Sequence, residues 1–279
     1  MSILKSYCSS EYSTLKKVVL CEPLYMNISS GINKTQKYFI NLGFNVNLAR
    51  EQYSKFIDIL KENRIHTLML PPEVRFPEQV FTRDIGFTVG ETVFISNMKN
   101  EVRKGEEQIF KKILLEKDIT YIDCINSHIE GGDVIIDQDI VYIGVSNRTL
   151  FNSVIKLQQL LTHYKIIPVP FSKDFLHLDC VFNIISKEEA LIYPHAFSNS
   201  TLKMLSDRYN LIEVSKKEQF TLATNVLSLG NKKMISLPIN TTTNKELRLR
   251  GYEVIEIDFG EIIKSGGSFR CCTLPLQRG

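Results

Sequence analysis

The stretch DIGFTVGETVFIS, Asp84 to Ser96, places two β-favouring runs on either side of Gly90-Glu91. That is the pattern of a β-hairpin. The same form returns at Asp133 (DVIIDQDIVYIG), at Asp179 (DCVFNIISKEEALIY) and at Asn225 (NVLSLGNKKMIS). The starts are 49, 46 and 46 residues apart, and one further step of 46 lands on Cys271. Five equivalent positions therefore read Asp84, Asp133, Asp179, Asn225 and Cys271.

Amphipathic stretches with helical spacing separate the hairpins. The clearest are RKGEEQIFKKILLEK (103–117) and NRTLFNSVIKLQQLLTHY (147–164), each followed by a short strand, TYIDC or KIIPVPF. The unit is hairpin, helix, strand. The fifth hairpin is cut short soon after CTLPL. Its missing partner is LKKVVLCEP (15–23), which has strand character and no upstream mate. Pairing the first and last strands closes a ring and leaves no open sheet edge. The pattern predicts an α/β fold of one domain, 1–279: five ββαβ units with pseudo-fivefold symmetry. Helices are expected over 31–42 and 51–64 in the first unit. The segment 22–36, with Gly31 and two serines, is a candidate lid.

Composition narrows the function. The 279 residues are 43% hydrophobic and 23% charged, enough for a large core. Net charge is +3, from 34 basic and 31 acidic residues, with no long basic run. Nucleic acid and membrane are therefore not expected partners. No signal peptide or membrane-length apolar run is read, and the expected location is cytoplasmic. Six cysteines in such a chain are expected to be reduced. No ligand spacing calls for zinc, so neither a metal nor a cofactor is expected.

A ring turns equivalent positions toward one centre, where acidic side chains and a thiol would meet. Such a cluster calls for a cation. Short motifs surround it: FTRD (81–84), EGGDV (130–134), HLDC (177–180) and RCCT (270–273). His177 precedes Asp179 by two, so on a strand the two would share a face. A nucleophilic cysteine needs a lowered pKa or a base, which a histidine supplies. A proton-shuttling histidine needs an orienting acid, and Glu130 is the leading candidate. The cation that suits paired carboxylates is a planar guanidinium, whose N–H donors match carboxylate oxygens. On a strand Cys272 would point away from Cys271, into the packing. Asp133 either joins the centre or binds turn amides after Gly131-Gly132. Cys8, Cys21, Cys124 and Cys180 read as core or near-surface thiols.

These motifs, in this order with the tail cysteine and the period, resemble the guanidino-group modifying enzymes. Their fold is the five-bladed α/β-propeller, or pentein. They include dimethylarginine dimethylaminohydrolase, arginine deiminase and the amidinotransferases. The resemblance implies Cys271 as nucleophile, His177 as acid and base, and Glu130 as its partner. It implies Asp84 as the main guanidinium clamp, with Asp179 and Asp133 as further substrate carboxylates. Arg103 and Arg148 would hold a substrate α-carboxylate, and Glu78 would sit near its α-amino group. The implied activity is hydrolysis of arginine, or of a methylated arginine-like compound, through a covalent S-alkylthiouronium. It gives a ureido product and an amine or ammonia. Amidino transfer to an amine, or ligand binding without catalysis, are the alternatives. The chain has the compact length of the dimethylaminohydrolases, whereas FTRD and HLD are more similar to arginine deiminase and the amidinotransferases.

Overall fold

The computed structural model describes residues 6–28, 31, 33–123 and 127–279. Its strands form five three-stranded sheets. The first unit holds β1 (Leu15–Cys21), α1 (Lys34–Phe39), α2 (Val46–Glu62) and β2 (His66–Leu70). The second holds β3 (Gly86–Val89), β4 (Thr92–Ile95), α3 (Glu106–Glu116) and β5 (Tyr121–Asp123). The third holds β6 (Val134–Asp137), β7 (Ile140–Val145), α4 (Phe151–Leu160) and β8 (Lys165–Pro170). The fourth holds β9 (Phe182–Ile184), β10 (Glu189–Ile192), α5 (Asn199–Ser206) and β11 (Asn210–Glu213). After α6 (Lys216–Phe220) comes the fifth, with β12 (Leu227–Gly230), β13 (Lys233–Ser236), α7 (Thr241–Leu249) and β14 (Glu253–Glu256). The chain ends on β15 (Leu274–Arg278).

In the last four units the first two strands pair antiparallel, and the third joins the second in parallel across a helix. The first unit has the same three strands, drawn from both ends of the chain: β15 pairs antiparallel with β1, and β2 pairs parallel with it. The protein is thus an α/β fold of repeated ββαβ-like units.

Burial follows the position of each strand. Every residue of β3, β6, β9 and β12 is buried, whereas β5, β11 and β14 keep exposed residues at their outer edges. Strands covered on both faces read as apolar runs, and Val134–Ile136 of β6 does so. Helix α2 starts at Val46, five residues before the expected position, because Asn45 caps it by accepting from the Asn47 and Leu48 amides. It buries Ala49, Tyr53, Phe56 and Leu60, spaced on one helical face. Phe56 packs against Phe259 and Phe269 at ring distances of 5.5 and 5.4 Å. That aromatic group anchors the segment leading into Cys271. The candidate lid falls partly outside the described residues, at 29, 30 and 32. Cys124 also lies outside them. Among the described residues, no helix is long and apolar enough to cross a membrane.

Candidate active site

The three acidic hairpin-start residues sit in short 3-10 turns, Thr82–Ile85, Gly131–Asp133 and Leu178–Cys180. Cys271 and Cys272 also lie in a turn, since β15 begins at Leu274. Strand alternation therefore does not govern these side chains, and successive residues fan around the turn axis instead.

A pocket with about 350 Å³ of empty space opens between these turns. Cys271, His177, Asp84, Glu78, Arg103 and Arg148 line it. Cys271 is only 4% exposed, and Cys272 is fully buried in the core beside α2. Cys180, read as a core or near-surface thiol, belongs to a buried apolar cluster and also lines the pocket. Its sulfur, that of Cys271 and a carboxylate oxygen of Asp179 lie within 4.8 Å of one another. Among the described residues these are the donors that could share a metal ion, although Arg270 already binds Asp179.

His177 is the hub. Its Nε2 is 2.7 Å from Glu130 Oε2, and its Nδ1 is 3.4 Å from Asp84 Oδ1. Burial pushes its pKa down, but the Asp84 and Glu130 carboxylates outweigh burial and leave it raised to about 10. The ring is therefore a cation at neutral pH. Glu130 lies behind it, fully buried. Burial opposes its ionisation, yet His177 and then Arg148 and Arg103 hold its pKa down to about 2. The Lys99 amide donates to its Oε1 at 3.0 Å.

This pair sets a pH signature. The His177 contribution to stability is complete below its ordinary value of 6.5 and is lost as pH rises through about 10. That of Glu130 is complete above 4.5 and is lost as pH falls toward about 2. The melting-temperature gap between wild type and His177→Asn is therefore expected to narrow steadily from about pH 7 to pH 10. A gap that stays constant or widens over that range would count against the ion pairing.

Two glycines allow the crowding. A Cβ on Gly132 would lie 2.7 Å from the His177 ring and 2.8 Å from Asp84 Oδ1. On Gly131 it would lie 2.2 Å from the Arg83 carbonyl oxygen. Gly132→Ala is expected to push His177 off Asp84 and cut turnover by about 10²-fold, since a shift near 1 Å has that cost. Steady-state kinetics check this, with circular dichroism showing that the fold persists. An undiminished kcat would refute it.

Several expected residues are placed differently. Asp133 does not line the pocket: it accepts from Ser146 Oγ at 2.7 Å and from the Leu178 amide at 2.8 Å. It braces the turn that carries His177. Burial leads the rise of its pKa to about 7. Asp179 does not line the pocket either, because Arg270 draws its Oδ2 away. Its carboxylate lies 3.7 and 3.9 Å from the Cys271 sulfur. Arg103 does line the pocket, but its donors are engaged by Asp84, by Glu106 at 2.7 and 3.0 Å and by the Phe81 carbonyl at 3.0 Å. Glu106, which the sequence reading missed, sits three residues on at the start of α3, where the two side chains meet. Arg148 is the freer cation, with an 11% exposed side chain and a 3.6 Å separation from Glu130. Glu78 accepts from Gln36 at 2.8 Å and from Ser265 at 2.8 and 2.9 Å, and burial leads the rise of its pKa to about 7.

The fourth equivalent position, Asn225, acts through the backbone. The Asn225 side-chain oxygen accepts from the Cys271 and Ser268 amides at 3.1 and 3.3 Å. Its amide donates to the Asp179 carbonyl at 3.1 Å. One side chain thereby fixes Cys271 relative to the His177–Asp179 turn.

The model of a family described as N,N dimethylarginine dimethylhydrolase, eukaryotic, matches residues 22–278. The chain belongs to that family. It is 51% identical to uncharacterized protein YkgA of Bacillus subtilis, over 99% of this chain and 96% of that one. It is 25% identical to an arginine deiminase of Streptococcus uberis, over 83% of this chain and 69% of that one. Among solved structures it is similar to the product-bound N-terminal domain of ArgZ, a cyanobacterial arginine dihydrolase. There the TM-score is 0.85 at 25% identity, covering 94% of this chain and 97% of that one. With the family match, these likenesses place the chain in the guanidino-group modifying, or pentein, superfamily.

Proposed function

We propose that the protein is a cysteine-dependent hydrolase of the guanidino group of an arginine-like amino acid. We read the whole chain as one catalytic domain on a closed five-bladed propeller. The observation that carries the activity is Asp84 Oδ1, a buried carboxylate oxygen that among the described residues has no hydrogen-bond donor and only the His177 ring nearby at 3.4 Å, in the pocket that holds Cys271 and His177. A buried anion short of donors is the complement of a guanidinium N–H edge.

The reaction follows from the placement. Asp84 fixes the guanidinium plane, and the Cys271 thiolate attacks its carbon. The His177 imidazolium, kept charged by Asp84 and Glu130, protonates the departing nitrogen. The C–N bond breaks, ammonia or an amine leaves, and an S-alkylthiouronium remains on Cys271. Neutral His177 then takes a proton from water as the hydroxide adds to that carbon. The C–S bond breaks, the thiolate returns, and the ureido product loses its extra proton to solvent. Arg103 binds the other oxygen of Asp84 and keeps that carboxylate aimed. Arg148, at the mouth, holds the substrate carboxylate, and Glu78 meets the α-amino group. Lys37 and Lys173 share the outer vestibule with Arg148 and favour an anionic end there. The arginine-acting names of the Streptococcus and ArgZ relatives support the same class of substrate.

A panel of arginine, monomethylarginine, dimethylarginine, agmatine and guanidinoacetate, assayed for ureido product, tests this reading. Agmatine lacks the carboxylate that Arg148 would hold. Its kcat/KM is expected to fall about 10- to 100-fold below that of arginine, the worth of a charge-assisted hydrogen bond. Turnover of no member, or equal turnover of agmatine and arginine, would overturn the assignment.

A further inference from the structure

Arg270 connects the site to a second pocket. One of its amino groups binds Asp179, against the Cys271 sulfur, and the other lies 3.2 Å from Glu11. Glu11 lines a smaller pocket with Ser10, Arg83, Thr88 and Arg278, which shares no lining residue with the first.

The charges around this pocket do not balance. Arg83, Arg270 and Arg278 are 4%, 1% and 2% exposed. Two carboxylates face them, Glu11 and Asp179. Burial works against Glu11 ionisation, but the three arginines outweigh it and keep its pKa below the ordinary value. The neighbouring Cys8 thiol is pushed up to about 12, chiefly by burial, and carries no charge. Asp137, across the Ser10 backbone bridge, is taken by Arg208, Tyr12 and Tyr209. Among the described residues, three guanidinium groups therefore share two carboxylates.

The hydrogen bonds show where the surplus lies. Among the described residues, Arg278 donates only to neutral carbonyls, those of Ser13 at 2.8 Å and Ser228 at 3.0 Å. Its Nε has no acceptor. Arg83 Nε and Nη2 are buried without an acceptor among the described residues, and Glu11 Oε2 stands off at 3.7 Å. Buried cations normally have a counter-charge and acceptors for their protons. Water would satisfy the protons and leave the charge. A small anion satisfies both, and the pocket has room for about one water-sized particle, which excludes a large one.

We propose that the pocket of Arg83 and Arg278 binds one small monovalent anion of chloride size. The site is independent of the guanidino chemistry, although Arg270 links it to the turn bearing Cys271.

Crystals of the wild-type protein grown in sodium bromide test the site directly. The expected result is a bromine anomalous peak in contact with Arg83 Nε or Nη2 and Arg278 Nε. Water alone in the pocket, or bromide bound only elsewhere, would overturn the proposal. In solution, chloride replaces gluconate at constant ionic strength. Chloride is expected to raise the melting temperature saturably by about 5 °C, and Arg83→Gln is expected to lose that response. An equal response to gluconate, or an unchanged response in a folded Arg83→Gln, would likewise overturn it. Should Arg83→Gln fail to fold, the bromide crystals decide on wild type alone.

Discussion

Cys271→Ala is expected to abolish ureido product formation from every guanidino compound the wild type turns over, a loss of at least about 10⁴-fold in kcat. The guanidinium carbon is a poor electrophile because its charge is delocalised, and no other group on this side of the pocket is a comparable nucleophile. Cys180 lines the same pocket but sits in the 3-10 turn with Asp179, its sulfur 3.6 Å from that carboxylate, and its contact with Cys271 and its burial push its pKa well up. The variant keeps Asp84, Arg148 and Glu78, so arginine is still expected to bind it, as read by calorimetry. Cys272→Ala is the matched control. Cys272 is buried against the α2 core and does not line the pocket, so its loss is expected to cost stability and leave kcat within a few-fold. The reverse pattern, with Cys272 indispensable and Cys271 replaceable, would reject the assignment.

His177→Asn is expected to lower kcat by about 10³-fold, within the range of a lost general acid and base, with a much smaller change in KM. Two steps fail together. The departing nitrogen leaves unprotonated, and the water that should release the thiouronium keeps its proton. Asparagine retains one donor toward Glu130, which limits collapse of the buried carboxylate pair. A structural role alone would show as lost stability with kcat preserved in the folded fraction. A kcat within tenfold of wild type would therefore remove His177 from the chemistry.

Local pattern carried much of this structure. The hairpin at Asp84–Ser96 and its repeats fall on sheet pairs, because β-favouring runs with turn residues between them are a short-range signal. The hairpin split across the termini was legible because LKKVVLC had no local mate, and it pairs with β15. Side-chain direction was less legible. Reading HLDC as a strand put Asp179 beside His177, whereas the turn sends it to Arg270, 91 residues away in sequence. The pull of Arg270 on Asp179 is a tertiary ion pair with no signature near either residue. The same limit hid Cys180 in the pocket and the bond from the Cys271 amide to Asn225. Glu106 had a signal, its three-residue spacing from a buried arginine, but nothing in the sequence marked that arginine as buried. Asp133 was left between two roles, and its contacts with Ser146 and Leu178 favour the bracing one.

The central claim is that the Cys271 sulfur carries the amidino carbon between two half-reactions. Wild-type protein mixed with excess arginine, quenched in acid within one turnover and digested, tests it by mass spectrometry. The expected result is a peptide containing Cys271, heavier by arginine less ammonia, absent from Cys271→Ala and lost on longer incubation as citrulline forms. Citrulline formation at full rate with no adduct on that peptide, under quench times that resolve a single turnover, would contradict it.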